Sequence, residues 1–296
     1  MIYSSAYAAV MGILPPLIDG DTAVISDELN HSCIINAIRL AQPAQKHVVP
    51  HLDLAGLEAA LAQAAVASRR AIVVTDGVFS MRGDHAPLDQ IMARVRDFDV
   101  RFTENALLVV DDSHGVGAFG ATGRGTEEVA GAQADVLIAT LGKALGVNGG
   151  YVVGSRVLVD FLRERSPFYV YSNPITPSEA AAASRALAIV DSEEGRGRLT
   201  HLRAMTRRFQ DGLAGLGYET IPGEHPVVPL LVRDTPRTLA LVRHLRECGV
   251  LATGLNHPVV PRGEEEIRFQ ISADHTPADI EEALAALESF PDRAGG

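Results

Sequence analysis

The chain has 296 residues, 47% hydrophobic and 21% charged, an ordinary balance for a globular enzyme with room for one large domain and a smaller one. A formal net charge of -11 argues against nonspecific binding to nucleic acid or to an anionic membrane, but leaves anionic small substrates open because local charge binds those. Two cysteines, Cys33 and Cys248, give no disulfide framework, and no apolar run is long enough to span a membrane, so a reducing, cytoplasmic setting is expected.

Short β-branched runs alternate with amphipathic patterns along the first half. Strands are expected at Thr22–Ser26, Ala71–Thr75, Ala106–Val110, Val136–Ala139 and Tyr151–Val153. Helices are expected at Cys33–Leu40, Leu54–Ala67, Pro87–Val95 and Arg156–Arg165. In the second of these, Leu54, Leu57, Leu61 and Ala65 form one apolar stripe. Strand–helix alternation of this kind predicts an α/β fold with a mostly parallel sheet.

From Pro177 the texture changes. A helix is expected from Ser178 towards Asp191, another from Arg198 to Leu216, then a strand at Val227–Val232 and a helix at Pro236–Glu247. A strand at Ile267–Ser272 and a last helix opening at Thr276-Pro277 follow, with Pro291–Gly296 as a loose tail. The expected organisation is a large domain over 1–176 and a small α+β domain over 177–296.

Open α/β sheets present ligands at the carboxyl ends of their strands. Polar residues gather at those ends: Thr75-Asp76-Gly77 with Ser80 close behind, Asp111-Asp112-Ser113-His114, and Thr140-Leu141-Gly142-Lys143-Ala144-Leu145-Gly146. A lysine delivered past a buried strand, flanked by glycines and preceded by a hydroxyl, suits a Schiff base with a phosphate-bearing aldehyde. Pyridoxal phosphate (PLP) also needs a carboxylate for its ring nitrogen and a donor near its phenolic oxygen, and both types are present.

Competing readings of the same stretch are weaker. Asp111-x-x-His114 and the His47/His51 pair invite a metal site, but no third ligand follows at a recognisable spacing, so no metal is expected. Gly115-Val116-Gly117-Ala118-Phe119-Gly120 matches the dinucleotide fingerprint literally. Its context fails, because Asp135 precedes a strand instead of ending one and no helix starts after Gly120.

Asp76-Gly77-Val78-Phe79-Ser80-Met81, Val110-Asp111-Asp112-Ser113-His114-Gly115 and Thr140 to Gly146, in this order and spacing, resemble the α-oxoamine synthases. These are fold-type-I PLP enzymes that condense an amino acid with an acyl-CoA. The resemblance implies that Lys143 forms the Schiff base, Asp111 pairs with the pyridine nitrogen, His114 contacts the phenolic oxygen and Thr140 the phosphate. It gives His31 the place stacked on the cofactor ring, with Ser80 beside His114. It gives Ser5, Ala6 and Tyr7 the loop that holds the phosphate, and Ser172 and Asn173 a segment reaching the neighbouring subunit's phosphate in a homodimer. Arg268 matches the arginine that binds the substrate carboxylate.

Within the family, Tyr171-Ser172-Asn173, Pro258-Val259-Val260-Pro261 and Ser272-Ala273-Asp274-His275-Thr276 are most similar to glycine C-acetyltransferase (2-amino-3-ketobutyrate CoA ligase). Gly83-Asp84-His85-Ala86-Pro87-Leu88 is as similar to 8-amino-7-oxononanoate synthase. Asn173-Pro174 departs from both, and Arg101–Asn105 reads as a short insertion. Set against the family pattern, Met1–Ser5 lines up with its interior. The resemblance therefore implies that roughly a hundred residues, with an Asn-Asn-Tyr-Leu-Gly-like motif, are absent. A truncated, non-catalytic PLP-fold subunit and an aminotransferase of the same fold are the alternatives this leaves.

Overall fold

A computed structural model describes residues 1–291. The expected tail falls almost wholly outside them. Contacts divide the chain into two compact units, one of 1–79 with 85–195, the other of 80–84 with 196–296.

The first unit is built on a seven-stranded sheet. Its strands are β1 (Ile2–Tyr3), β2 (Thr22–Asp27), β3 (Gln45–Val49), β4 (Arg70–Asp76), β5 (Asn105–Asp111), β6 (Val136–Thr140) and β7 (Gly150–Gly154), in the order β1-β7-β6-β5-β4-β2-β3. The strands from β3 to β6 pair in parallel, whereas β7 and β1 are antiparallel additions at one edge. The connecting helices are α1 (Ala6–Leu17), α2 (Ser32–Ala41), α3 (Leu54–Ala64), α4 (Leu88–Asp99), α5 (Thr126–Ala130), α6 (Arg156–Arg165), α7 (Pro167–Val170) and α8 (Pro177–Val190).

Side chains alternate across a strand, so the central strands feed two cores. Ile72, Val74, Val109 and Ile138 pack with α1 and α2, including Ile13, Leu14, Ile34 and Ile38. Ala71, Val73, Leu108 and Val110 pack on the other face with Leu57 and Leu61 of α3 and Ile91 and Val95 of α4. The expected α/β fold, with a mostly parallel sheet, is what forms.

β1, α1, β3 and the short helices α5 and α7 are not among the elements expected from the sequence. Helix α1 is apolar nearly all round and carries Pro15 and Pro16 in its last turn, so it shows no period to read. Strand β3 is an edge with residues alternately half-buried and exposed. The Gly115–Gly120 run forms turns, with Gly117 at φ 85° and Gly120 at φ 86°, and the next helix opens only at Thr126.

The second unit holds α9 (Glu193–Gly215) over most of its length, β8 (Val227–Leu231), α10 (Thr235–Glu247), β9 (Thr253–Leu255), β10 (Glu266–Gln270) and α11 (Pro277–Glu288). Its antiparallel sheet runs β8-β10-β9. Phe209, Leu213, Leu241, Ile267, Phe269 and Leu287 form its core. The division falls at Gly195/Arg196, not after residue 176, because α8 stays with the first unit: Ala183 packs with Leu141 and Leu145.

Candidate active site

The carboxyl ends of β2, β4, β5 and β6 lie side by side, and the first unit gathers its chemistry there. Parallel pairing sets Asp76 of β4 directly against Asp111 of β5. Both carboxylates are buried, at 5% exposure each. Asn30 braces the neighbouring turn: its Nδ2 donates to Val74 O at 2.8 Å and Ser26 Oγ at 2.9 Å, and its Oδ1 accepts from Asp76 N at 2.8 Å. His31 N then donates to Asp76 Oδ2 at 2.9 Å.

His31 is the N-cap of α2. Its Nδ1 accepts from Cys33 N at 3.2 Å, which requires that nitrogen to be unprotonated. Burial of its surroundings lowers its pKa, Asp111 opposes this, and the Lys143 ammonium adds to it. Asp76 is driven well up, first by burial and then by Asp111, against the pull of the His31 N–H and of Lys143. Lys143 thus acts on both His31 and Asp76, although it stands exposed in the turn after β6. The strand ends at Thr140 and the turn carries the lysine out, so it escapes the desolvation its place in the sequence suggests.

Asp112, next to Asp111, has a different task. At 0% exposure it accepts from Thr126 N at 2.7 Å and Thr126 Oγ1 at 2.6 Å, and Gly77, Gly115 and Gly125 crowd its carboxyl group so closely that a Cβ on any of them would overlap it. Burial pushes its pKa up to about 6 against those two hydrogen bonds. It pins the loop that carries His114, which is half-buried.

A second feature converges on the end of β6. Thr140 pairs with Gly150 of β7, and a Cβ on Gly150 would overlap the Ser5–Ala6 peptide, so the N-terminus of α1 rests on the strand that neighbours Thr140. Ser5 is the N-cap, its Oγ accepting from Ala8 N at 3.0 Å. The backbone N–H groups of Ala6 and Tyr7 belong to the first turn, where helices leave donors for an anion. Thr140 Oγ1 donates to Gly149 O at 3.2 Å and accepts from Gly142 N at 3.0 Å, which closes the lysine turn.

The other expected residues lie elsewhere. Ser172 and Asn173 are exposed between α7 and α8. Ser80 and Arg268 fall in the second unit, where Arg268 Nη1 donates to Ser80 O at 3.2 Å. Glu266, on the same face of β10, is 3% exposed, and burial pushes its pKa up to about 7 against the pull of Arg82 and Arg268. The sequence reading assigns no role to Asp76, Asn30 or Cys33. The signal for Asp76 is its place at the end of a strand next to the Asp111 strand.

This geometry fits PLP. Two adjacent buried carboxylates suit a protonated ring nitrogen, Ser113 Oγ is buried with no hydrogen-bond partner among the described residues, and a glycine-shaped seat holds a helix N-terminus beside Thr140. Fold and cluster together define a fold-type-I PLP-dependent transferase.

The chain belongs to the aminotransferase class I and II family, which it matches over residues 1–287, and within it to the α-oxoamine synthases. It is 38% identical over 292 residues to 8-amino-7-oxononanoate synthase of Geobacter metallireducens, covering 98% of this chain and 73% of that protein. It is 39% identical over 290 residues to the mitochondrial 2-amino-3-ketobutyrate coenzyme A ligase of Bos taurus, covering 97% of this chain and 67% of that one. Among solved structures, Sphingomonas wittichii serine palmitoyltransferase superposes with a TM-score of 0.90 at 28% identity, over 98% of this chain and 71% of that chain. A second, described as SPT with PLP internal aldimine, gives a TM-score of 0.90 at 25% identity over the same shares. The protein is a PLP-dependent enzyme of the acyl-condensing kind.

Proposed function

We propose that the protein joins glycine to acetyl-CoA, releasing CoA and 2-amino-3-ketobutyrate. The observation that supports PLP-dependent condensation most is the His31–Asp76–Asp111 cluster at the carboxyl ends of β4 and β5, with Lys143 in the turn after β6, and the choice of glycine and acetyl-CoA rests on the Tyr171–Asn173, Pro258–Pro261 and Ser272–Thr276 motifs. Bound PLP supplies an electron sink that makes the amino acid's α-proton acidic.

The chain's residues do the rest. Lys143 Nζ would hold the cofactor through its aldehyde carbon and would be the base for the glycine Cα proton. Asp111 would keep a proton on the ring nitrogen, while the Ala6 and Tyr7 N–H groups, Ser5 and Thr140 would hold the phosphate. His31 would stack on the cofactor ring and His114 would contact its phenolic oxygen, with Ser80 placed beside His114 by the family resemblance. Arg268 takes the substrate carboxylate. The deprotonated Cα bonds to the acyl carbon, the C–S bond breaks, and the CoA thiolate leaves and is protonated. In this reading the protein works as a cytoplasmic homodimer, with Ser172 and Asn173 of one copy serving the other's phosphate, a role compatible with their exposure.

A second reading, condensation giving 8-amino-7-oxononanoate, is favoured by the Gly83–Leu88 stretch and by 41% identity over 290 residues to that synthase of Marinobacter nauticus. Thiol release separates the two. The PLP-loaded protein should free CoA thiol from acetyl-CoA only when glycine is present, and Lys143→Ala should abolish this while leaving stability within about 0.5 kcal/mol, as for other exposed positions. Release only with alanine and a longer acyl-CoA, with loss of carbon dioxide, would favour the second reading. Turnover by the Lys143→Ala protein would overturn both.

A further inference from the structure

Glu266 and Arg268 are two residues apart on β10, a spacing that puts both side chains on one face of a strand. It is the face away from the core, because Ile267 and Phe269 supply the core side. The pairing register sets Leu231 of β8 and Leu255 of β9 directly opposite Glu266, and Pro229 and Thr253 opposite Arg268. Directly opposed residues share a face, so Glu266 is a carboxyl group between two leucines. The Ser80–Asp84 stretch is held against the same sheet: Gly83, at φ 73°, lies so close that a Cβ on it would overlap Val227 O.

Glu266 is 3% exposed, and its Oε1 has no hydrogen-bond partner among the described residues. A buried polar atom left in this state calls for a reason. Arg268 is in the converse state. Its Nη1 donates to Ser80 O at 3.2 Å and reaches Met81 Sδ at 3.9 Å, both uncharged, and it makes no ion pair among the described residues. Arg82, the other cation beside Glu266, is already engaged with Asp84, Nε to Oδ2 at 2.8 Å.

We propose that Glu266 is a positioning residue for Arg268: as an uncharged acid it leaves the guanidinium to the substrate carboxylate, and as a carboxylate it draws the guanidinium back along β10. The proposal rests on the reading of Arg268 given above. Two anions then compete for one cation, so each weakens the other's hold.

The charged groups facing Glu266 are Arg82 and Asp84 from the Ser80–Asp84 stretch, Arg268 on β10 and Glu264 in the turn before it. Strands β8 and β9 offer it only the two leucines. The Glu265 carboxylate is occupied elsewhere, accepting from Thr235 Oγ1 at 3.0 Å and Gly263 N at 2.9 Å. Arg82 being taken by Asp84, Arg268 is the cation able to answer a change of charge on Glu266. Burial pushes the Glu266 pKa up to about 7, which puts that change near neutrality.

The test reads both residues. In the cofactor-free full-length protein, carbon NMR follows the Glu266 carboxyl against pH, with Glu266→Gln identifying its signal. Arg268→Gln removes a neighbouring cation and should move the midpoint up; an unmoved midpoint would overturn the proposal. In the PLP-loaded protein, the KM for glycine should rise about fivefold or more as pH passes from below to above neutrality. Glu266→Gln should hold KM low across that range, while the pH profile of kcat stays common to the two proteins. A Glu266→Gln protein whose KM climbs as in the wild type would equally overturn it. Failure of the Arg268 reading itself is seen separately: Arg268→Gln would then leave the glycine KM unchanged while still moving the Glu266 midpoint.

Discussion

Asp76 and Asp111 stand in register on adjacent parallel strands with both carboxylates buried, a pairing that disfavours two negative charges at once. With Asp112 directly after Asp111, three acids share one end of the sheet, and their protonation is part of the fold's energetics.

This gives stability a definite slope in pH. Burial raises the pKa of Asp112 to about 6, above the ordinary aspartate value of 3.8, so the folded protein keeps a proton that the unfolded chain has already lost. Its contribution is complete below about pH 4 and is lost as pH rises towards 6, a total of about 3 kcal/mol. Asp76 is shifted in the same direction and adds to the slope. Urea unfolding of the cofactor-free protein should therefore show Asp112 lowering stability between pH 4 and 6, with Asp76 adding to the fall as pH rises. Asp76→Asn, which keeps an oxygen for the His31 N–H, should flatten that fall.

Gly150 should tolerate no side chain. A methyl group there overlaps the Ser5–Ala6 peptide, and relief requires that the start of α1 move away from β7. Gly150→Ala should weaken PLP binding at least tenfold and cost about 1–3 kcal/mol of stability, the range for overpacked sites. Cofactor titration by absorbance, with thermal unfolding alongside, measures both.

Gln42 offers a gain away from the site. It caps α2 in the left-handed region at φ 51° and is exposed. Gln42→Gly should stabilise the protein by up to about 1 kcal/mol, since glycine carries no steric penalty there. A rise in the urea midpoint with unchanged thiol release is the expected result.

Much of the first unit could be read from its sequence because its strands are buried on both faces. Val136–Ala139 and Ala106–Val110 are continuous apolar runs, and they end in the polar residues that build the site. Lys143 and Asp111 announce themselves this way. Asp76 does not, because its importance comes from lateral register, which has no local signature. Asp112 was harder still. An acid beside Asp111 looks like part of the chemistry until the Thr126 bonds and three surrounding glycines show what holds it. The boundary after residue 176 misled because composition changes where α8 begins, whereas packing changes one helix later.

The second unit is not a contiguous piece of chain. Its Ser80–Asp84 stretch comes from between two segments of the first unit, and Arg268 is bonded to Ser80 across a sequence separation of 188 residues. A nick between Gly195 and Arg196 would leave that stretch on the N-terminal fragment, so the C-terminal piece would not carry a whole unit. Assembly of the second unit must also wait for the end of synthesis to meet a loop made long before. That places this joint among the slow, nonlocal events of folding.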